Sequence, residues 1–129
     1  MNESQVSFAI RGAIYQVYAS LGPGLLESAY EAALTYQLQQ DGLKVETQIP
    51  IKMRYGEIDI PLAYRLDMLV EDMVIVELKS VETIDKLHYK QLRTYLRLTN
   101  KHRGILVNFN TSDILLSIHT IIDDYEIQE

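Results

Sequence analysis

The sequence predicts one α/β domain over residues 1–129, with a mixed central sheet (a three-stranded meander, a helical crossover and a further strand) flanked by helices. Three observations predict it. Two N-terminal stretches carry apolar residues at helical spacing, three strand-like runs then follow in close succession, and a last helical stretch precedes a short continuous apolar run. A helix that joins two strands of one sheet is a right-handed crossover, so the later strands pair parallel while the meander pairs antiparallel.

From Ser4 to Leu21, the residues Val6, Ile10, Ala13, Ile14, Val17 and Leu21 make one apolar stripe, which reads as a packing helix. Gly22-Pro23-Gly24 interrupts it. A second helix opens at Leu25 or Leu26, with Leu26, Tyr30, Ala33, Leu34 and Leu38 on one side, and Asp41-Gly42 ends it, Gly42 suiting a left-handed cap. Glu27 falls in the first turn, where the helix dipole favours a carboxylate, and that alone accounts for it. From Leu43 to Arg54 the chain alternates, placing Val45, Thr47, Ile49, Ile51 and Met53 on one face and Lys44, Glu46, Gln48 and Lys52 on the other. Tyr55-Gly56-Glu57 turns into the next strand, where Pro61 marks an edge or an irregular start.

Arg65 to Ser80 reads as a β-hairpin whose apolar runs flank a charged turn at Glu71-Asp72. Alternation puts Ile75, Glu77 and Lys79 on one face and Val74, Val76 and Leu78 on the other, the second set being core. Two registers are open. A three-residue connection, Glu71-Asp72-Met73, sets Asp67 opposite Glu77; a two-residue turn sets it opposite Val76, facing away. In the first register two carboxylates and an ammonium share an otherwise apolar sheet, an arrangement that a hard cation such as Mg2+ relieves. Lys79 then serves a phosphoryl oxygen or an attacking water. An exposed edge hairpin with solvated charges accommodates the same residues.

From Ile84 to about Thr99 the spacing is helical again. Lys86, Lys90, Arg93, Arg97 and Lys101 fall in one stripe, and Ile84, His88, Gln91, Tyr95 and Leu98 lie opposite, pointing Gln91 and Tyr95 inward. The plain reading of the basic stripe is a solvated outer face, and of His88 a partly buried core histidine. Arg103 to Phe109 is a strand covered on both faces. Asn110 to Asp113 is a turn, Ile114 to Ile122 an edge strand or part of an oligomer contact, and Asp123 to Glu129 a frayed end.

A hydrophobic content of 47% with 23% charged residues is that of a globular chain, and no apolar run is long enough to span a bilayer. Met1-Asn2-Glu3-Ser4 has no basic start followed by an apolar block, so a cytoplasmic protein without membrane association is expected. The absence of cysteine excludes disulfides and thiolate metal sites. A net charge of -6 opposes a broad nucleic-acid surface, yet the segment from Lys86 to Arg103 holds half of the 12 basic residues, giving an acidic protein one basic flank.

The element order, together with Asp67, Glu77-Leu78-Lys79, the helical Glu27 and the inward Gln91, resembles the PD-(D/E)XK nuclease superfamily, whose fold is restriction-endonuclease-like. Within it the chain resembles the GxxExxY family through Gly24-Leu25-Leu26-Glu27-Ser28-Ala29-Tyr30. The likeness runs from about Phe8 to Phe109 and takes in Tyr64-Arg65-Leu66-Asp67, Gln91-Leu92-Arg93-Thr94-Tyr95-Leu96 and Gly104-Ile105-Leu106-Val107-Asn108-Phe109. The resemblance implies that Asp67, Glu77 and the carbonyl of Leu78 hold Mg2+ or Mn2+, with Glu27 supplying a further carboxylate. It implies that Lys79 orients the attacking water and that Gln91 positions the substrate or the lysine, with Tyr95 one turn on. Substrate contacts are expected from Tyr30, Tyr95, Lys86, Lys90, Arg93 and Arg97.

Two functions follow. One is a metal-dependent nuclease that hydrolyses phosphodiester bonds, its nucleic acid DNA ahead of RNA. The other is a non-catalytic nucleic-acid or protein binding and assembly module on the same scaffold. Small size without a separate DNA-binding domain favours the second, the intact Lys79 the first. Self-association or a partner protein is expected in either case, through an apolar surface such as Ile114 to Ile122.

Overall fold

A computed structural model describes residues 1–125. The elements run α1 (Glu3–Leu21), α2 (Glu27–Gln40), β1 (Val45–Tyr55), β2 (Ile58–Val70), β3 (Val74–Lys79), α3 (Lys86–Thr99), β4 (Arg103–Asn108), a 3-10 turn (Ile114–Ser117) and β5 (Ile118–Ile122). The sheet has five strands in the order β1-β2-β3-β4-β5. All neighbours are antiparallel except β3 and β4, the pair that α3 connects. The α/β class and the mixed sheet are those the sequence predicts. Of the stretch from Ile114 to Ile122, the last five residues form the edge strand β5 on β4 and the first four a 3-10 turn.

Helix α1 starts on a capping box: the Asn2 side chain accepts the Gln5 N–H at 2.8 Å and the Gln5 side chain accepts the Asn2 N–H at 2.9 Å. Its buried residues Val6, Ile10, Ala13, Ile14 and Val17 join Leu34 and Leu38 of α2 against Val74, Val76 and Leu78 of β3 and Ile105 and Val107 of β4. On the opposite face, Leu92, Tyr95 and Leu96 of α3 pack on Ile75, Leu106 and Ile121. Helix and sheet approach closely there because Gly104 has no side chain; a Cβ at that position would lie 2.9 Å from Leu92 Cδ1.

Three sequence expectations need correction. The buried stripe of α3 is centred on Leu92, Tyr95 and Leu96. His88 closes the N-terminal capping box instead of serving the core, its Nδ1 accepting the Asp85 N–H at 3.1 Å. The alternation of β1 does not persist: Val45 packs into the α1/α2 core, whereas Ile49 and Ile51 pack on the α3 side and Thr47 is exposed. The change of face falls at Gln48, whose φ is +52°. Its neighbour β2 changes face at the same level, with Met68 and Val70 in the first core and Leu66 in the second. Asp67 sits at this crossing.

The expected fraying of the end is overturned up to Tyr125. The Asp123 N–H donates to the His102 carbonyl at 2.8 Å, and the Tyr125 hydroxyl bonds the carbonyls of Leu96 and Lys101. Residues 126–129 lie outside the described residues.

Candidate functional site

The hairpin between β2 and β3 pairs Met68 with Val76, Leu69 with Ile75 and Val70 with Val74. This is the register of the three-residue connection, Glu71-Asp72-Met73. Glu71 and Asp72 take left-handed φ values of +53° and +55°, and the Met73 N–H closes the turn on the Val70 carbonyl at 3.0 Å. Glu71 is tethered outside the turn, its carboxylate accepting the Lys44 N–H at 2.7 Å. The next position along brings Asp67 level with Glu77.

There the ladder gives way to side chains. The Asp67 carboxylate accepts the Leu78 main-chain N–H at 2.9 Å, and the Asp67 N–H points at Glu77 Oε1 at 3.4 Å, long for a hydrogen bond. Glu77 is 6% exposed, one of three buried polar residues among the described residues. Burial pushes its pKa up to about 10, helped by the carboxyl-to-carboxyl hydrogen bond with Asp67 and by the charge of Asp67; Lys79 acts in the other direction. Glu77 is therefore protonated in the metal-free chain at neutral pH. Lys79 stands two residues along the same face, half-buried at the end of β3.

The loop after β3 is fixed from two sides. Buried Asn108 accepts the Val81 N–H at 3.1 Å and donates to the Val81 carbonyl at 2.9 Å. The Ser80 hydroxyl donates to the Leu25 carbonyl at 2.6 Å, and the Ser80 N–H donates to Glu27 Oε1 at 3.3 Å. Glu27 is thus tied to the end of β3. It lines a cleft of about 210 Å³ with Ser28, Glu31, Gln48, Asp67 and Leu78. Glu31, one turn beyond Glu27, and Gln48 were not expected from the sequence; the Gln48 amide donates to Glu31 at 2.7 Å. The spacing of Glu27 and Glu31 on one helix face was the available signal. Among the described residues, no group of three or more acidic or histidine side chains is close enough to enclose an ion. The structure brings Asp67 and Glu77 together and leaves Glu27 across the cleft.

On the α3 side of the sheet, Gln91 and Tyr95 line a second cavity with Tyr64 and Lys90. Burial raises the Tyr95 pKa to about 12, with further contributions from Glu77, Asp67 and Tyr64, so its hydroxyl stays protonated and lies within the field of the carboxylate pair. Tyr64, which sequence reasoning passed over as a strand residue, packs on Tyr95 with ring centroids 6.1 Å apart.

The expected substrate contacts divide. Tyr30 is fully buried, stacked on Phe109 at 4.2 Å, and its hydroxyl donates to the Gly22 carbonyl at 2.6 Å while accepting the Leu25 N–H at 3.1 Å. Its place corrects the expectation of a substrate contact: it clamps the Gly22–Leu25 loop. Arg97 is committed to Asp123 at 3.1 Å and lies over the Tyr125 ring, so it too leaves the expected set. Lys86, Lys90 and Arg93 are exposed, and Lys90 reaches the cavity that Gln91 lines, which amends the reading of the stripe as wholly turned away from Gln91.

No helix among the described residues is long and apolar enough to cross a membrane. No curated protein and no solved structure matches the chain. The model of the PD-(D/E)XK nuclease superfamily matches residues 4–121, a span that takes in the helices but for the first residue of α1, the strands but for the last residue of β5, and the site just described. By that match, with its mixed sheet and the Asp67, Glu77 and Lys79 constellation at the sheet's open end, the chain belongs to the PD-(D/E)XK nuclease superfamily.

Proposed function

We propose that this chain is a divalent-metal-dependent nuclease that hydrolyses phosphodiester bonds of nucleic acid. The observation that carries the reading is the Asp67–Glu77 pair: two carboxyls held against each other, one of them buried, with Lys79 alongside. Burial and the neighbouring Asp67 keep Glu77 protonated at neutral pH, and a cation between the two carboxyls would take the place of that proton. The donors are hard oxygens, which suit Mg2+ or Mn2+ and exclude soft metals. Asp67, Glu77 and the Leu78 carbonyl would hold the ion, with Glu27 reaching from α2.

A bound ion of this kind polarises a phosphoryl oxygen and makes a coordinated water more acidic. Lys79, which forms no ion pair among the described residues, supplies a positive charge beside the phosphate and orients the attacking water. Gln91 and Tyr95 position the substrate from α3. Within the superfamily we place the chain with the GxxExxY proteins on Gly24, Glu27 and Tyr30, and we favour DNA over RNA, a cytoplasmic location and self-association.

A non-catalytic binding module on the same scaffold is the second reading, favoured by the lack of a third converging carboxylate among the described residues. Labelled single-stranded and duplex DNA and RNA, incubated with Mg2+, Mn2+ or EDTA, separate the two. The nuclease reading expects metal-dependent cleavage that Lys79→Ala reduces by about a hundredfold or more. Metal-dependent cleavage of none of them would leave the binding module.

A further inference from the structure

The chain has a second cleft, the one from which Gln91 and Tyr95 would position the substrate, and its walls say what part of the substrate it takes. It is a cavity of about 320 Å³ between α3 and the middle of β2, with Tyr64, Lys90, Gln91 and Tyr95 on its walls. Tyr64 is 48% exposed, unusual for a large ring beside a buried site, and is held at a 52° tilt to Tyr95, which leaves much of its surface toward solvent. Along α3, the side-chain hydrogen bonds among the described residues are those of His88, Thr94, Arg97 and Thr99. The Gln91 amide, the Tyr95 hydroxyl and the Lys90 ammonium are therefore free to serve a ligand.

We infer that this cavity takes one unpaired nucleobase, stacked on Tyr64, hydrogen-bonded at its edge by Gln91 and the Tyr95 hydroxyl, with Lys90 on the adjoining phosphate. The chemistry commits to this occupant. A flat aromatic wall recognises the π-face that every base has, an amide and a hydroxyl read donor and acceptor edges, and a single ammonium at the rim suits one phosphate. A paired base has no free face to offer. Tyr95 packs in one cluster with Leu66, next to Asp67 on β2, and Ile75, on the Glu77 face of β3, which sets this base on the carboxylates' side of the sheet. The inference deepens the nuclease reading and rests on it for the role of the site: the substrate class is single-stranded nucleic acid or a frayed or flipped end, in preference to intact duplex.

The test is binding in EDTA, where no cleavage occurs, of a short labelled single-stranded oligodeoxynucleotide and of the same sequence closed into a blunt hairpin, followed by fluorescence anisotropy. The wild type should bind the single strand more tightly than the hairpin. Tyr64→Ala should weaken single-strand binding by about tenfold, in line with the loss of one stacked base, while Tyr64→Phe keeps it. Tyr36→Ala, which removes an exposed ring from α2 on the other side of the sheet, should bind as the wild type does. Because the chain has no tryptophan, Tyr64→Trp adds a single reporter whose fluorescence should be quenched by the single strand. The inference is overturned if the wild type binds no single strand or binds the hairpin equally well. It is also overturned if Tyr64→Ala matches Tyr36→Ala, if Phe fails as badly as Ala, or if the Tyr64→Trp signal does not change. A protein that passes these tests but cleaves nothing with Mg2+ or Mn2+ has lost the nuclease reading alone; one that cleaves but passes none has lost the stacking site alone.

Discussion

The carboxylate of Asp67 accepts the main-chain N–H of Leu78 at 2.9 Å, so a side chain on β2 does what a backbone carbonyl does elsewhere in the ladder. This bond holds the Asp67 side chain beside β3 just where the backbone pairing of β2 and β3, which ends at Met68 and Val76, gives way. Truncation to Asp67→Ala leaves a half-buried N–H without its partner and should cost about 1–3 kcal/mol. Asp67→Asn keeps an acceptor oxygen and should cost less, a difference that urea unfolding of the two variants would measure.

Glu77 links the site to pH. Its folded pKa of about 10 lies above the ordinary value of 4.5, so the folded metal-free chain binds a proton that the unfolded chain releases between those values. Stability from this group is complete below about pH 4.5 and is lost as pH rises toward 10. Glu77→Gln removes the titration. In EDTA the wild type should lose melting temperature from pH 5 to pH 9 more steeply than the variant, and at neutral pH the variant should be the more stable, by on the order of 1 kcal/mol. Parallel melting profiles of the two proteins would refute this.

Tyr30 is predicted to matter for the fold and not for substrate. Tyr30→Phe preserves the stack on Phe109 and removes the hydroxyl that bridges the Gly22 carbonyl and the Leu25 N–H. It should destabilise by about 1–2 kcal/mol while leaving nucleic-acid affinity unchanged, as read by melting and by anisotropy. An affinity loss at unchanged stability would restore Tyr30 to the substrate contacts.

Gly104→Ala probes the contact of α3 with the sheet. The new methyl would meet Leu92 Cδ1 at 2.9 Å, and Leu92 is fully buried, with little room to turn away. Overpacking of this kind costs about 1–3 kcal/mol. Gly12→Ala, with nothing within 4 Å of its Cβ and a helical setting, should instead be neutral or stabilising, so denaturation midpoints of the two variants should move apart.

Much of this was legible in the sequence because periodicity and charge carry it. The stripe of α1, the run from Arg103 to Asn108 and the face shared by Ile75, Glu77 and Lys79 all follow from spacing. The hairpin register was not legible, since the turn uses left-handed Glu71 and Asp72 where a glycine would have announced it. The change of face at Gln48 and Asp67 was hidden for the same reason: Gln48 takes a positive φ that its side chain does not advertise. Leu92 and Leu96 were missed because the stripe of α3 was drawn through its polar members Gln91 and His88. Tyr64 escaped notice because exposure of an aromatic on a strand depends on a helix packing from far along the chain.

The central claim is that the Asp67–Glu77 pair exists to hold a divalent cation. Melting of the wild type and of Asp67→Asn, each with EDTA and with excess Mn2+, tests it without knowledge of the substrate. A cation that binds only the folded pair stabilises by mass action, about 2.7 kcal/mol at a hundredfold excess over Kd. The account predicts a clear rise in the wild-type melting temperature on adding Mn2+ and little or none in Asp67→Asn. A wild type whose melting temperature is indifferent to Mn2+ would contradict it and make the pair a structural hydrogen bond.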